Sequence, residues 1–460
     1  MKLTREATLA AVLALSLAAG IGFDFAVDDL QAPEQIRLVQ PLFDERSVHC
    51  PRPPIEGESR SQLAIGSAEE GSLPVGIGDE RIELPEGRAR LVRNSASSEI
   101  VGYGGEVVAS AVATVDGRGG GVAAARCAKV ASPEWYFAEG SSALGFEQRL
   151  MIYNPFPDEA VVSMSLYTAQ GRQGNANLAE GTAVPAGQTI EVALNDFIRQ
   201  QRLVGMSVVA NRGRVIAWRA MKVNSEDRPE GTQFTLGATA PSDTWYFPEG
   251  ALEAGVDERI TLLNPTDEEA IATLSLVTSG ETVQPPRLVE VVVPPNSLVP
   301  FLLRDHIGGP QRNIGGAGVV VRTSSGGVVA ERVVFYETDL LSGTASEIGS
   351  TRTSAEWFLG PAVDKPDSDS IILLNPGAEG ATVSISLLSE DRGPQSPDAL
   401  QNLSLDGGTR LKVPIARWTS GRSFSVRVGS DADIVVERFG YRGDDVASVI
   451  GLPLARQIEQ

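Results

Sequence analysis

An aromatic phrase recurs three times in this chain at nearly constant spacing. It is written EWYFAEG, TWYFPEG and EWFLGPA, and its tryptophans are Trp135, Trp245 and Trp357. A catalytic motif normally occurs once, whereas a structural repeat returns with each copy of the unit that it builds. Because the interval between these tryptophans falls within the common size of a domain, this period predicts three copies of one domain.

Each aromatic phrase is followed by an apolar run that ends in Asn-Pro. The asparagines follow their tryptophans at a nearly constant distance, at Asn154, Asn264 and Asn375. Proline lacks the amide hydrogen that would continue a β-ladder, and asparagine can bond its own backbone in a turn. The pairs therefore predict strand ends. A second turn, written PAGQ, PNSL and DGGT, follows the three asparagines at the same distance in each copy.

Each repeat closes with two β-rich runs about a tight turn, which predicts a hairpin. Seven or eight short strands in about 110 residues are typical of an antiparallel, immunoglobulin-like β-sandwich. A β-propeller is the rival architecture, but its blades recur every 40 to 45 residues or so, less than half of the observed period. We therefore predict an all-β fold, with little helix beyond an N-terminal hydrophobic segment.

An arginine recurs on the last strand of the hairpins, at Arg126, Arg219, Arg332 and Arg438. Its guanidinium has five donors in a fixed geometry, so it can cap loop carbonyls or pair with a carboxylate at a strand edge. A ligand site would need further convergent polar groups, and the sequence does not identify any. We predict a structural role for these arginines.

The first of these arginines belongs to a shorter copy of the unit. In residues 46–131, LPEGRARLV resembles VPAGQTIEV of the following repeat, but the opening tryptophan is absent. The chain is therefore divided into this divergent unit and three repeats, which we expect to follow one another in a row as a tandem array: repeat 1 at 132–240, repeat 2 at 241–353 and repeat 3 at 354–460.

Residues 1–28 predict an export segment. Lys2 and Arg5 precede an apolar run from Ala7 to Phe23, and acidic residues follow. The length of this run lies between that of a signal-peptide core and that of a comfortable membrane span, so cleavage and retention as an anchor helix are both open. In either case the remaining chain, after a linker at 29–45, is expected outside the cytoplasm, and only this segment meets the membrane.

The charge and the short list of reactive residues disfavour several functions. The formal net charge of -20 disfavours nucleic acid as a partner, because neutralising phosphates needs a basic patch. The only histidines, His49 and His306, have no metal-ligand companions at a recognisable spacing, and neither a nucleophile elbow nor a phosphate-binding loop occurs. We predict no catalytic residue, no metal and no cofactor, and hence a protein that is not an enzyme.

The only two cysteines, Cys50 and Cys127, lie on the first and last strands proposed for the divergent unit. Both follow the export segment, so the compartment permits oxidation. An even pair in an exported chain usually bonds, although two buried free thiols are the alternative. We predict a disulfide, which requires Cα atoms within about 7 Å.

The combination of WYFAEG, a strand ending in Asn-Pro and a hairpin whose last strand carries arginine resembles the repeat of exported bacterial envelope proteins, especially actinobacterial ones. Their function is unassigned. The resemblance covers roughly residues 46 to 460 and implies export, an N-terminal hydrophobic segment and β-rich modules without catalytic residues. The third phrase departs from this pattern, because it lacks the side chains that correspond to Tyr136 and Glu139.

Two functions are compatible with these features. The first is a non-catalytic envelope scaffold that spaces or binds an unknown envelope protein or wall polymer outside the membrane. The second is a carbohydrate-binding or wall-polymer-modifying protein that stacks sugars on exposed tryptophans in grooves between domains. Packing of the tryptophans in the core is the simpler role for them, because their large area stabilises a core and the pattern does not require exposed rings.

Overall fold

The computed structural model describes residues 47–51, 59–67, 69, 71–94, 98–173, 181–307 and 315–454. The predicted export segment and linker lie outside the described residues. Within the described part of the chain, helix is limited to short turns: α1 (Leu303–His306), α2 (Ala416–Thr419) and the 3-10 turns Leu194–Asp196, Pro286–Leu288 and Asp398–Leu400. The prediction of an all-β fold is confirmed.

The divergent unit contains two antiparallel four-stranded sheets. Its strands are β1 (Ser47–Cys50), β2 (Ser59–Ser67), β3 (Leu73–Ile77), β4 (Glu80–Leu84), β5 (Arg90–Arg93), β6 (Ser98–Gly102), β7 (Val107–Val115) and β8 (Gly121–Arg126). One sheet has the order β1-β6-β3-β4 and the other β5-β2-β7-β8.

Repeat 1 also supplies two antiparallel sheets. Its strands are β9 (Glu134–Phe137), β10 (Phe146–Tyr153), β11 (Ala160–Thr168), β12 (Gly171–Arg172), β13 (Thr182–Val184), β14 (Thr189–Ala193), β15 (Gly205–Arg212), β16 (Ile216–Val223) and β17 (Gly231–Leu236). One sheet has the order β12-β11-β15-β9, with β13 also on β11, and the other β14-β10-β16-β17.

Repeat 2 has the same plan with a small additional ladder. Its strands are β18 (Thr244–Phe247), β19 (Ala251–Leu252), β20 (Val256–Asn264), β21 (Ala270–Val277), β22 (Thr282–Val283), β23 (Val291–Val293), β24 (Ser297–Leu302), β25 (Gly315–Gly316), β26 (Gly318–Ser325), β27 (Val329–Glu337) and β28 (Ser342–Ile348). The sheets are β18-β26-β21-β22, with β23 on β21, and β24-β20-β27-β28, and β19 pairs with β25.

Repeat 3 joins its two sheets through one long strand. Its strands are β29 (Ser354–Leu359), β30 (Ser368–Asn375), β31 (Ala381–Leu388), β32 (Leu403–Leu405), β33 (Thr409–Pro414), β34 (Ser425–Arg442), β35 (Asp445–Ile450) and β36 (Leu452–Pro453). The long strand β34 takes part both in β32-β31-β34-β29-β36 and in the set β33-β30-β34-β35. The alternation of VSISLLS is visible in β31, where Val383, Ile385 and Leu387 are fully buried.

The asparagine of each Asn-Pro pair fastens two strand ends together. Asn154 is fully buried, and its Nδ2 donates to the carbonyls of Asp158 and Val184 at 2.7 and 2.9 Å, while its Oδ1 accepts from the N–H of Phe156 at 3.0 Å. Asn264 and Asn375 make the same three bonds. The second carbonyl belongs to the strand that precedes the second turn. One short amide side chain thus holds both turns, which explains their constant separation.

The disulfide predicted for the divergent unit is present. Cys50 at the end of β1 is bonded to Cys127, which directly follows β8, and their Cα atoms lie 4.4 Å apart. Both residues are buried, and the bonded residues are 77 positions apart in the sequence. The bond links the two sheets of a unit that lacks the tryptophan of the other three.

The sheets that end in β8, β17, β28 and β35 are called the inner sheets here, because these four strands meet. They contact one another in cyclic order: β8 with β17, β17 with β28, β28 with β35 and β35 with β8. The divergent unit therefore touches both repeat 1 and repeat 3, and the row expected from the sequence closes into a ring. Closure covers the edge of each last strand, which would otherwise be open to pairing with other chains.

The ring resembles the arrangement of blades in a four-bladed propeller. Apolar residues fill its joints, for example Met221 and Val223 against Val333 and Phe335 between repeats 1 and 2. Each unit adds an outer sheet to its blade, which is why the sequence period is more than twice that of a propeller. The described residues after position 45 form one compact body. The limits of the four units as independent domains stay a prediction.

Candidate ligand-binding site

The three tryptophans of the aromatic phrase lie in the core. Trp135, Trp245 and Trp357 are at most 2% exposed. The indole nitrogens of the first two donate to the carbonyls of Val215 and Val328 at 2.7 and 2.8 Å, and that of the third makes an equivalent bond in repeat 3. Rings buried to this extent offer no face on which a sugar could stack.

The glutamate of the phrase joins one repeat to the next. Glu139 is 1% exposed, and its carboxylate accepts two bonds from the guanidinium of Arg259 in repeat 2, at 2.8 and 2.6 Å, and one from the hydroxyl of Thr261. The carboxylate of Glu249 also accepts from an arginine of the next repeat, through one bond from Arg410 at 2.8 Å. The phrase recurs because its aromatic residues pack in the core of their own repeat and its glutamate binds an arginine of the following repeat.

The phrase of repeat 3, EWFLGPA, lacks this glutamate. Repeat 3 is followed by no further repeat, and in the ring it contacts the divergent unit instead. There, repeat 3 meets the divergent unit through close apolar packing. The ring of Phe358 occupies the space where Gly66 would carry a Cβ, and Gly360 lies directly against Ser110. Phe358 belongs there to an apolar cluster with Val108 of the divergent unit.

The arginines of repeats 1 and 2 are buried in the same two-sided contact. Arg219 donates to the carbonyl of Glu139 in its own repeat and lies 2.7 Å from the carboxylate of Glu331 in the next one. Arg332 makes the same two contacts one repeat further on. A buried ion pair of this kind is costly to break from one side, because the remaining charge has no partner.

The other two recurring arginines, Arg438 and Arg126, do not make the pair of contacts that Arg219 and Arg332 share. Arg438 makes a bidentate pair with Asp369 of its own repeat and donates to the carbonyl of Gly360 at 2.9 Å. Arg126 lies 3.0 Å from the carboxylate of Glu347 in repeat 2. Its side chain is 18% exposed, whereas the other three arginines are fully buried.

A cavity of about 420 Å³ lies at the end of the ring axis where the inner strands finish. Its walls are the segments that follow β8, β17 and β28, together with Pro453, and the nearly fully buried residues Trp135 and Trp245 border it. Three basic residues line it, Arg126, Lys129 and Arg352, and none of the described residues that line it is acidic. This composition is unusual in a chain with 59 acidic and 39 basic residues.

The opposite end of the axis is closed. Gly121 and Gly343, at the start of their inner strands, lie against the side chain of Asp445, whose carboxylate accepts from the N–H of Val122 at 2.5 Å. Burial raises the pKa of Asp445 to about 7. A side chain at either glycine would collide with this carboxylate, so the strands are closely packed at this end.

The cations of the cavity differ in how they are held. Arg126 is fixed by Glu347 and by the carbonyl of Ile348 at 3.0 Å, but its Nε has no acceptor among the described residues. Lys129 pairs with Glu106. Arg352 is exposed, and its guanidinium has no ion pair within the part of the chain that the structure describes. Burial raises the pKa of Glu347 to about 7, against the opposing effect of Arg126.

The histidines take no part in this cavity. His49 packs against Tyr153 with ring centroids 5.7 Å apart, and burial lowers its pKa to about 4. His306 packs against Phe301 at the same distance. Across the described ranges, no cluster of three or more His, Cys, Asp or Glu side chains is placed to hold a metal ion. None of the described helices has the length and apolar character needed to cross a membrane.

Comparison with known proteins identifies a family without a known role. No curated protein matches the chain. Among solved structures, the crystal structure of Thermotoga maritima 1070 is similar over 22% of this chain and 94% of that chain, with 17% identity and a TM-score of 0.19. The model of the family of unknown function DUF5719 matches residues 88–250 and again 237–447, together well over half of the chain. The chain therefore belongs to the DUF5719 family, whose function is unknown.

Proposed function

We propose that this protein is a non-catalytic, exported scaffold of the cell envelope that binds its partner through the cavity at the ring axis. We take each pair of sheets as one immunoglobulin-like β-sandwich domain of the actinobacterial envelope type. One observation carries the proposal: among the described residues, the axial cavity brings together polar side chains of three different units, Arg126 and Lys129, Thr239, and Thr351 with Arg352.

The use of charge supports a scaffold rather than an enzyme. The acids whose pKa burial raises most are Glu258, Glu347 and Asp445. A general acid or base must come within hydrogen-bond reach of its substrate. Glu347 and Asp445 form contacts between units, and Glu258 is buried against Ala251 of its own repeat. None of the three lines the cavity.

The proposal of export rests on two features of the chain. The disulfide between Cys50 and Cys127 is typical of proteins that fold outside the reducing cytoplasm. The basic and apolar residues before position 28 have the order of an export signal. The alternative function, a wall-polymer-binding or modifying protein, loses its stacking platform because the tryptophans are buried.

The proposed function is tested by photo-crosslinking in living cells. A photoreactive residue is placed at Val130, which is 56% exposed on the cavity rim, or at Leu340, which is 60% exposed in the loop before β28 at the closed end of the axis. We expect a discrete extracytoplasmic adduct from Val130 and none from Leu340. Equal adducts from both positions, or a cytoplasmic location of the protein, would refute the proposal.

A further inference from the structure

We propose that the axial cavity binds a small organic oxyanion, a carboxylate or a phosphate, which Arg126, Lys129 and Arg352 hold. This inference rests on the proposed function, because it names the chemistry that the cavity recognises. It begins from the contrast of charge: the protein is strongly acidic, yet the described lining of this cavity is basic without an acidic member. Such a concave site concentrates anions from solution against the repulsion of the remaining surface.

The arginines have the arrangement that an oxyanion needs. Arg126 is held at two points, by Glu347 and by the carbonyl of Ile348, so little side-chain freedom is lost when a ligand binds. Its side chain is 18% exposed in the cavity lining, so a ligand oxygen can approach its guanidinium. Arg352 keeps its guanidinium available at the rim. Guanidinium groups bind carboxylates and phosphates through two parallel bonds.

The size and the remaining lining restrict the ligand further. A volume of about 420 Å³ lies in the range of small-molecule sites, so the cavity accommodates an anionic group with a body of several atoms. Thr239 and Thr351 line it with exposed hydroxyl-bearing side chains, and Pro241 and Val130 add apolar surface. These groups fit a hydroxylated ligand, such as an acidic sugar, better than a bare inorganic ion.

The net charge that faces the ligand is modest, because two of the cations have partners. Glu347 and Glu106 offset part of the charge of Arg126 and Lys129. Arg352 has no such partner within the described ranges, so its contribution to binding is the most direct. We therefore expect binding to depend on Arg352 and to weaken as ionic strength rises.

The test uses isothermal titration calorimetry on the full exported protein with D-glucuronate, glucose 6-phosphate and glucose. We expect at least one of the two anions to bind at a single site and glucose, which has the same ring without the charge, not to bind. Binding of glucuronate alone would identify a carboxylate ligand, and binding of glucose 6-phosphate alone a phosphate. Equal binding of glucose, or no binding of either anion, would overturn the inference.

The site is assigned with matched charge variants. Arg352→Gln should weaken anion binding about tenfold or more. Arg322→Gln should leave it unchanged, because Arg322 is also exposed but lies on β26, outside the cavity. Lys129→Gln provides a second test inside the cavity. Unaltered affinity in both cavity variants would overturn the inference. The photo-crosslink from Val130 would be unaffected by that result, so failure of the anion site is distinguishable from failure of the scaffold function.

Discussion

Replacing Glu258 by glutamine should change how the stability of this protein depends on pH. Glu258 lies on β20 with 2% exposure, and its Oε2 accepts from the N–H of Ala251 at 3.0 Å. Its Oε1 has no partner among the described residues. The equivalent position of repeat 1, at the same distance before the recurring turn asparagine, is Gln148, whose Oε1 accepts from Ser141 at 2.9 Å. Glutamine has nearly the same size and shape as the protonated side chain, so its Oε1 can accept from Ala251 as that of Gln148 accepts from Ser141.

The expected change in the free energy of unfolding follows from the pKa of Glu258. Burial raises it from 4.5 to about 8, although Arg332 opposes the shift. The folded protein thus keeps a proton that the unfolded chain releases, so the contribution to stability is complete below pH 4.5 and is lost as the pH rises through about 8. The slope in this window is about 1.4 kcal/mol per pH unit, and the total is on the order of 5 kcal/mol.

The measurement is urea unfolding of both proteins at pH 5, 6, 7 and 8. The free energy of unfolding of Glu258→Gln, relative to the parent protein, should rise by several kcal/mol across this range, because the variant has no carboxyl group to ionise. Glu269→Gln is the control, since Glu269 is exposed on the same repeat. A difference between Glu258→Gln and the parent that does not change with pH would refute a buried, protonated carboxyl group.

Three further changes test the joints and the core. Glu139→Gln should lower the free energy of unfolding by about 3 kcal/mol in urea, whereas Glu191→Gln, in a half-exposed pair, should cost less than about 1 kcal/mol; equal costs would contradict the locking role. Trp245→Ala should cost about 3 to 5 kcal/mol, and an unchanged melting temperature would contradict its place in the core. Reduction, or Cys50→Ala, should cost about 2 to 5 kcal/mol; thiol labelling of Cys127 without prior reduction in the parent protein would contradict the disulfide.

Some features that depend on one unit could be predicted from the sequence. The closing hairpin was predicted correctly only for the divergent unit, where β7 pairs with β8. In repeats 1 and 2 its two runs lie in different sheets, and in repeat 3 they form the single strand β34. The Asn-Pro pairs mark strand ends because Asn154 bonds residues of its own unit. Asp158 is close to it in the chain, and Val184 precedes the second turn of the same repeat. The cysteine pair could be assigned because only two cysteines exist. The role of Glu139 could not be predicted, because the arginine that binds it has no fixed position in the repeat. The partner of Glu139 lies on β20, whereas the partner of Glu249 lies on the non-equivalent strand β33. The loss of this glutamate from the third phrase was the one available signal.

The ring and its cavity depend on contacts between units that no local pattern records. The strands β8 and β35 are in contact, although they belong to the first and the last unit. No residue pattern within either strand indicates this contact. The long period of the aromatic phrase argues against a propeller if each unit has a single sheet. In the structure each unit has a second sheet, which lengthens the repeat without preventing a ring. The basic lining of the cavity comes from separate units, so Arg126 and Arg352 are not close in the sequence.

Closure of the ring restricts how this architecture can vary. In an open array each repeat contacts only its neighbours, so a unit can be gained or lost by duplication or deletion while the remaining joints persist. Here the first and the last unit pack on each other through Phe358 and Gly66, and an added or missing copy would alter the angle at every joint. A change in copy number would therefore require every joint to form at a new angle, so we expect relatives to vary in loop length rather than in the number of units.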